Sequence, residues 1–474
     1  MSNMVTWRDY EGVDGFGSAT QRDVDDLNKA LRAGQSINPP GAVTAGDGFS
    51  LRVESLEATL RSVQYRMEHI RLWKMCTKIP AYNTVEEFNL LESYGENLDA
   101  GFIDEGDLPT EDDSKYERKF AVVKYLGTLR RVTHVMSLVR PAHGNVINKE
   151  TVNGTMHLLK MTERALFNGD SSLSSLQFDG FEKQMVDGGT KVIDMRGKPW
   201  SEDVLTDAAL IVSDAPGFGT PTDLFGAPGP ISDLAKIFFP KERHDPFTDR
   251  DGIVRTQIKG WDSPAGPVRF QPDVFITDGG APTATAIGKV ADRPATPTET
   301  TAPASSGSGS QFTADEVGTY QYAVVAVNRH GRSAKLQMTA VAVGGAGEQI
   351  DMGVTPPGST PDVDWYELYR SVKGGAAGTE RLIARIANGA GTGEQTLTDT
   401  NAKLPGTTSA FLFQGNVENM SIKQLAPLVK IPLATIDTSI RWMQLLYIVP
   451  VLYTPLKNVL FTNLGRAVGS ETYA

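Results

Sequence analysis

Lys115-Tyr116-Glu117-Arg118-Lys119-Phe120-Ala121-Val122-Val123-Lys124-Tyr125-Leu126-Gly127-Thr128-Leu129-Arg130-Arg131 is the stretch that decides the fold. Phe120, Val122 and Leu126 fall on one face by period two, the pattern of a strand. Lys115, Arg118, Lys119, Lys124, Arg130 and Arg131 make that strand basic. Just before it stand Asp104, Glu105, Asp107, Glu111, Asp112 and Asp113, an acidic turn region. Residues 95–136 therefore read as a long β-hairpin with separated charge. A two-stranded ribbon has no core to offset its ordering entropy and is marginal alone in water. Such a hairpin requires a partner surface, either its own sheet or a neighbouring chain.

Upstream, residues 1–49 are rich in Gly, Asp, Ser and Pro and read as an arm held by something else. Val53, Leu56, Leu60, Val63, Met67 and Ile70 then follow at spacings of three and four, one apolar stripe of a helix. Packing on its own subunit is the plainer reading of that stripe. Docking of Leu56, Leu60, Val63 and Met67 on a neighbouring chain is the sharper one. Residues 1–94 are taken as N-terminal arm and helix.

Downstream, residues 148–168 carry a helix with Val152, Met156, Leu159 and Leu166 on its main face and Gly169 at the expected left-handed cap. Another helix starts at Ser201, an N-cap residue, and presents Leu205, Ala208, Ala209 and Val212. Mixed helices and strands over 137–293 indicate an α+β domain. Residues 294–310 change character, with Pro294, Pro297 and Pro303 leading to Ser306-Gly307-Ser308-Gly309-Ser310, and read as a linker. Short strands follow at 319–328, 336–343, 348–354, 364–370, 381–386 and 395–399, the spacing of a small β-sandwich. Segments 422–432, 445–453 and 457–463 return to the earlier character. The tail, 413–474, is too short to stand alone and reads as the completion of the first domain, with 294–412 inserted into it.

Composition narrows the function. A chain of 474 residues with 40% hydrophobic and 22% charged residues is folded and larger than one typical domain. A formal charge of −11 argues against gripping nucleic acid, which needs clustered Lys and Arg. The lone Cys76 follows an apolar stretch and reads as a buried structural thiol in a reducing compartment. Neither a signal peptide nor a membrane span is expected. The six histidines are scattered, without metal-ligand spacing, and no phosphate loop or nucleophile elbow occurs. The expectation is a non-enzyme with no catalytic, metal or cofactor residues.

Several segments resemble one family, the Hong Kong 97-type major capsid proteins of tailed bacteriophages. Leu72-Trp73-Lys74-Met75-Cys76-Thr77-Lys78-Ile79-Pro80-Ala81-Tyr82-Asn83-Thr84 resembles its passage from N-terminal arm to extended loop, and the charged hairpin at 95–136 resembles that loop. The 148–168 helix is similar to its spine helix. Ser175-Leu176-Gln177-Phe178-Asp179-Gly180-Phe181 resembles its peripheral domain, and the run from Ser201 to Phe225 its axial domain. The insertion separately resembles immunoglobulin or fibronectin type III modules through Tyr320–Ala334 and Trp365–Ser371, though in reversed order. The resemblance implies a subunit that self-assembles into hexamers and pentamers of an icosahedral virion capsid around double-stranded DNA, in the host bacterial cytoplasm. It implies contacts with portal, scaffolding and decoration proteins, and inter-subunit contacts through the loop residues Asp104 to Arg131 named above. Reversing Arg118, Lys119 and Lys124 together is then expected to block assembly. An encapsulin-type nanocompartment shell and an immunoglobulin-like adhesion or glycan-binding protein are the alternatives.

Overall fold

The computed structural model describes residues 64–95, 102–108, 111–139, 144–238, 259–356, 362–434 and 437–467. Leu56, Leu60 and Val63, with most of the expected arm helix, lie outside them. Contacts divide the chain into two units. One comprises 1–63 with 135–146, and the other comprises 64–134 with 147–474. The larger unit carries every element below.

Where the arm helix was expected to run on to Ile70, only Met67–His69 forms a 3-10 turn. Arg66 is extended before it and Ile70 after it. The His69 ring nitrogen accepts the Arg66 backbone N–H, closing the turn locally. Met67 is half exposed, whereas Ile70 is fully buried.

Two sheets build the body. The first orders Thr77–Pro80, Met420–Pro432, Ser439–Leu452 and Lys124–Thr133. Its Leu446 faces Leu126 across the last pair. The second orders Lys191–Asp194, Val459–Leu464, Thr408–Phe413, Asp223–Gly226, Gly266–Pro272 and Gly260–Ser263. The tail strands thus sit inside both sheets, and two apolar clusters join residues from both ends of the chain. One packs Leu72, Leu166 and Phe167 with Phe411, Leu446 and Ile448. The other packs the Glu202–Ser213 helix, through Leu205, Ala208 and Val212, on Leu412 and Phe461. Ser201 caps that helix as its sequence indicates, its hydroxyl accepting the Val204 N–H at 3.3 Å.

The long helix spans Val146–Asn168. Its buried face is Leu158, Leu159, Thr162, Glu163, Leu166 and Phe167, while Val152 is 62% exposed and Met156 half-buried. Leu159 and Leu166 of the expected face are thus buried, whereas Val152 and Met156 are not part of the core, and the buried face also takes in Thr162 and Glu163. Gly169 does not adopt the left-handed conformation. What it supplies is space: a Cβ there would lie 2.5 Å from the Phe178 carbonyl and 2.7 Å from that of Ala165. Both neighbours are backbone and cannot yield, so Gly169→Ala is expected to cost about 1–3 kcal/mol. Urea denaturation measures this, and an unchanged midpoint would contradict the packing.

Residues 294–310 are not all linker. Thr298–Ser306 is an edge strand beside Gln349–Thr355, which in turn pairs with Gln395–Asp399. Pro303 hid it, but a proline is tolerated on an edge, here at a register irregularity. The facing sheet comprises Gly331–Arg332, Tyr322–Asn328, Trp365–Arg370 and Arg381–Ala387, with Leu336–Gln337 on its side. Tyr322, Val324, Tyr366 and Leu368 meet Ile350, Met352 and Leu397 between the sheets. Arg370 pairs with Asp399 inside that core and ties one sheet to the other.

Candidate assembly surface

The hairpin is longer at its root than the sequence indicates and divides in two. Val85–Ser93 pairs with Lys115–Val122 as an isolated ribbon. At the buried Val123 the chain leaves it, and Lys124–Thr133 joins the four-stranded body sheet. One ribbon face holds Phe88, Leu90 and Ala121, all partly covered, with Phe88 edge-on to Tyr453 at 5.0 Å. The other holds Val85, Leu91, Tyr116, Phe120 and Val122. Tyr116 and Phe120 are 71% and 72% exposed. Register sets Val85 opposite Val122 and Leu91 opposite Tyr116, so the apolar residues adjoin across the strands. Sequence reasoning found Phe120 but missed Tyr116, whose alternation with Arg118 and Phe120 was available to find it.

The ribbon's charges are answered within it. Lys115 pairs with Glu92 at 2.8 Å, Arg118 with Glu87 at 3.3 Å, and Lys119 with Glu117 at 2.9 Å. Exposed pairs of this kind add little to stability, because solvent screens them. Lys124, Arg130 and Arg131 engage the subunit's own body. They bond the Ser175 carbonyl, Glu150 and Asp437 respectively. The turn residues Asp104, Glu105 and Asp107, like Glu111, Asp112 and Asp113, are solvent-exposed. Asp107 donates its N–H to the Asp104 carbonyl at 3.1 Å, and Gly106 has φ of 88°, which defines a tight turn.

On the long helix lies a buried acid that the sequence did not reveal. Glu163 accepts the backbone N–H groups of Arg71 (2.8 Å), Leu72 (2.7 Å) and Trp73 (2.9 Å), fastening the start of the body to the long helix. Those donors favour a carboxylate, but burial and the neighbouring Asp273 push Glu163 up to about 8. Burial likewise raises Asp273. Cys76 is buried and its thiol is pushed up to about 12 by burial, the condition of an inert thiol. Among the described residues no group of three His, Cys, Asp or Glu could hold a metal, and no helix is long and apolar enough to cross a membrane.

An α+β body with an uncovered apolar ribbon is the anatomy of a subunit that associates. Its order of ribbon, long helix and returning tail strands is the one the Hong Kong 97-type resemblance implies. No family model matches the chain. It is 24% identical over 465 residues to a putative major capsid protein of Enterococcus phage phiEF24C, spanning 93% of this chain and 96% of that one. It is also 24% identical over 453 residues to the major capsid protein of Staphylococcus phage K, spanning 91% and 93%. Among solved structures it is similar to the capsid of a native GTA particle, with a TM-score of 0.45 and 10% identity over 91% of this chain and 100% of that one. The class is capsid protein. More particularly, the chain is a homologue of phage major capsid proteins over nearly its whole length.

Proposed function

We propose that this chain is the shell subunit of an icosahedral phage head, forming hexamers and pentamers that enclose double-stranded DNA. The observation that carries the reading is the Val85–Val122 ribbon, whose apolar face finds no cover among the described residues. Full-length similarity to phage major capsid proteins supports the same reading and favours a head over a nanocompartment. The protein works by association, not catalysis, and its place is the virion capsid, assembled in the host cytoplasm. Portal, scaffolding and decoration proteins are the partners such a shell requires. Residues 294–407 act as an inserted immunoglobulin-like module, five residues shorter than the sequence suggests because the Thr408–Phe413 strand belongs to the body sheet. The loop residues Asp104 to Arg131 and the arm residues Leu56 to Met67 supply inter-subunit contacts.

Electron microscopy with sedimentation tests this on the chain expressed alone and with phage assembly factors. Closed shells or capsomers are expected; a folded monomer under every condition would overturn the reading. The triple reversal of Arg118, Lys119 and Lys124 to glutamate sets like charges beside Glu87 and Glu117 on the ribbon. It is expected to keep the subunit's circular dichroism and abolish its shells. Normal shells from it would show that charge on this strand does not select the partner.

A further inference from the structure

A cavity of about 330 Å³ lies between the long helix and the inserted sandwich. Its charged lining is Arg164 of that helix, Lys183 of the Phe181–Asp187 helix, Arg385 and Lys403 of the insertion, and the carboxylates Asp170 and Glu182. Lys183 already has Asp187 at 3.3 Å, and Asp170 already accepts the Ser172 N–H at 2.9 Å. Arg385 reaches Glu367 at 3.6 Å, but shares that one oxygen with Arg332 at 3.3 Å. The Tyr369 hydroxyl takes the other oxygen at 2.8 Å. Arg164 and Lys403 have no ion pair among the described residues. Unanswered positive charge thus stands on both walls of one gap, helix and sandwich.

The surroundings make this excess costly. Buried Phe167 and Phe411 form part of the wall, so charges there are weakly screened. Burial around its guanidinium, with Arg385 and Arg332 nearby, holds Arg164 below the ordinary arginine range. Arg164 nonetheless remains solvent-accessible, so an anion can reach it. Two guanidinium forks can each grip an oxyanion edge with paired hydrogen bonds, and a lysine adds a point charge. The volume lies at the small end of ligand pockets, which suits a free oxyanion and not a nucleic-acid duplex. We propose that this cavity binds a small phosphate-class oxyanion between Arg164 on the long helix and Arg385 and Lys403 on the insertion, tying the sandwich to the body.

Thermal unfolding of the full-length subunit tests this, in inorganic phosphate and in sodium chloride of equal ionic strength, which removes simple screening from the comparison. Phosphate is expected to raise the unfolding temperature saturably, by about 2–4 °C. Arg164→Gln is expected to match or exceed the wild type in chloride, since one like charge is gone, and to lose the phosphate shift. Lys403→Gln carries the same test from the sandwich side if the helix variant fails to fold. Lys191→Gln, outside the cavity, is expected to keep the full shift. A short DNA duplex at equal phosphate content is expected to give none. No shift in the wild type, or equal shifts in the wild type and both cavity variants, overturns the site. A duplex shift as large as that of phosphate overturns the small ligand and assigns these cations to nucleic-acid backbone. None of these readouts needs assembled shells, so the inference is tested apart from the shell reading.

Discussion

Replacing Tyr116 and Phe120 together by threonine is expected to leave the subunit folded and to raise its threshold for assembly by about two to four orders of magnitude. Both side chains stand on the open face of the ribbon, more than two-thirds exposed, so the folded monomer gains little from them. Threonine keeps the strand preference that the ribbon needs. Each aromatic, once covered by a neighbour, contributes about 1.5–3 kcal/mol. Two of them amount to about 3–6 kcal/mol per contact, which at 1.4 kcal/mol per tenfold gives the stated range. The contact repeats at every subunit of a closed shell, so the threshold falls on a cooperative transition. Sedimentation across a concentration series reads the effect, and thermal unfolding of the dilute subunit provides the control, where surface changes of this kind stay within about 0.5 kcal/mol. Shells at the wild-type threshold would remove the apolar ribbon face from the assembly mechanism. An equal loss of monomer stability would assign the two aromatics to the subunit's own packing.

The parts of the fold legible in the sequence were those written in local periodicity. Ser201 with Leu205, Ala208 and Val212 gave a cap and a stripe together, and the structure forms that helix at Glu202–Ser213. The strands at 349–355, 365–370, 381–387 and 395–399 follow the expected runs to within a residue or two, since Gly and polar turns bound them. Long-range pairing was less legible. Nothing local says that Val123 is where a strand leaves a ribbon for a sheet, because that break is set by the pairing of Lys124–Thr133 with Ser439–Leu452, some three hundred residues later. Thr298–Ser306 was masked by its proline for the same reason: only its position at a sheet edge makes Pro303 tolerable. The assembly surface was half legible. Charge pattern drew attention to the hairpin, yet the basic residues are spent on Glu87, Glu92 and Glu117 within the ribbon or on the body. The uncovered property of that face is apolar, and it took the register to show Leu91 beside Tyr116.

Glu163 illustrates the remaining kind of illegibility, a charged residue inside an apolar stripe, and it gives the second large effect. Its raised pKa, about 8 against an ordinary 4.5, means that the fold prefers its protonated form. The associated stability is therefore complete below about pH 4.5 and is lost progressively as pH rises through about 8. Above that, two buried carboxylates, Glu163 and Asp273, carry charge side by side. Asp273→Asn removes one of those charges. Its amide oxygen can still accept the Phe275 N–H that Asp273 accepts at 2.8 Å, and its amide nitrogen can donate toward Glu163. Glu163 is then free to ionise against the N–H groups of Arg71, Leu72 and Trp73 that already point at it. The variant is expected to be more stable than the wild type by about 1–3 kcal/mol at pH 8.5 and nearly equal to it at pH 5. Glu163→Gln should behave differently, destabilising at every pH, because its amide NH₂ would face one of those three donors. Chemical denaturation of both variants at the two pH values measures the differences, with the wild type cancelling the contribution of every other carboxylate. A loss for Asp273→Asn of equal size at both pH values would mean that Asp273 acts as a packing and hydrogen-bonding group and that its charge is not what raises Glu163.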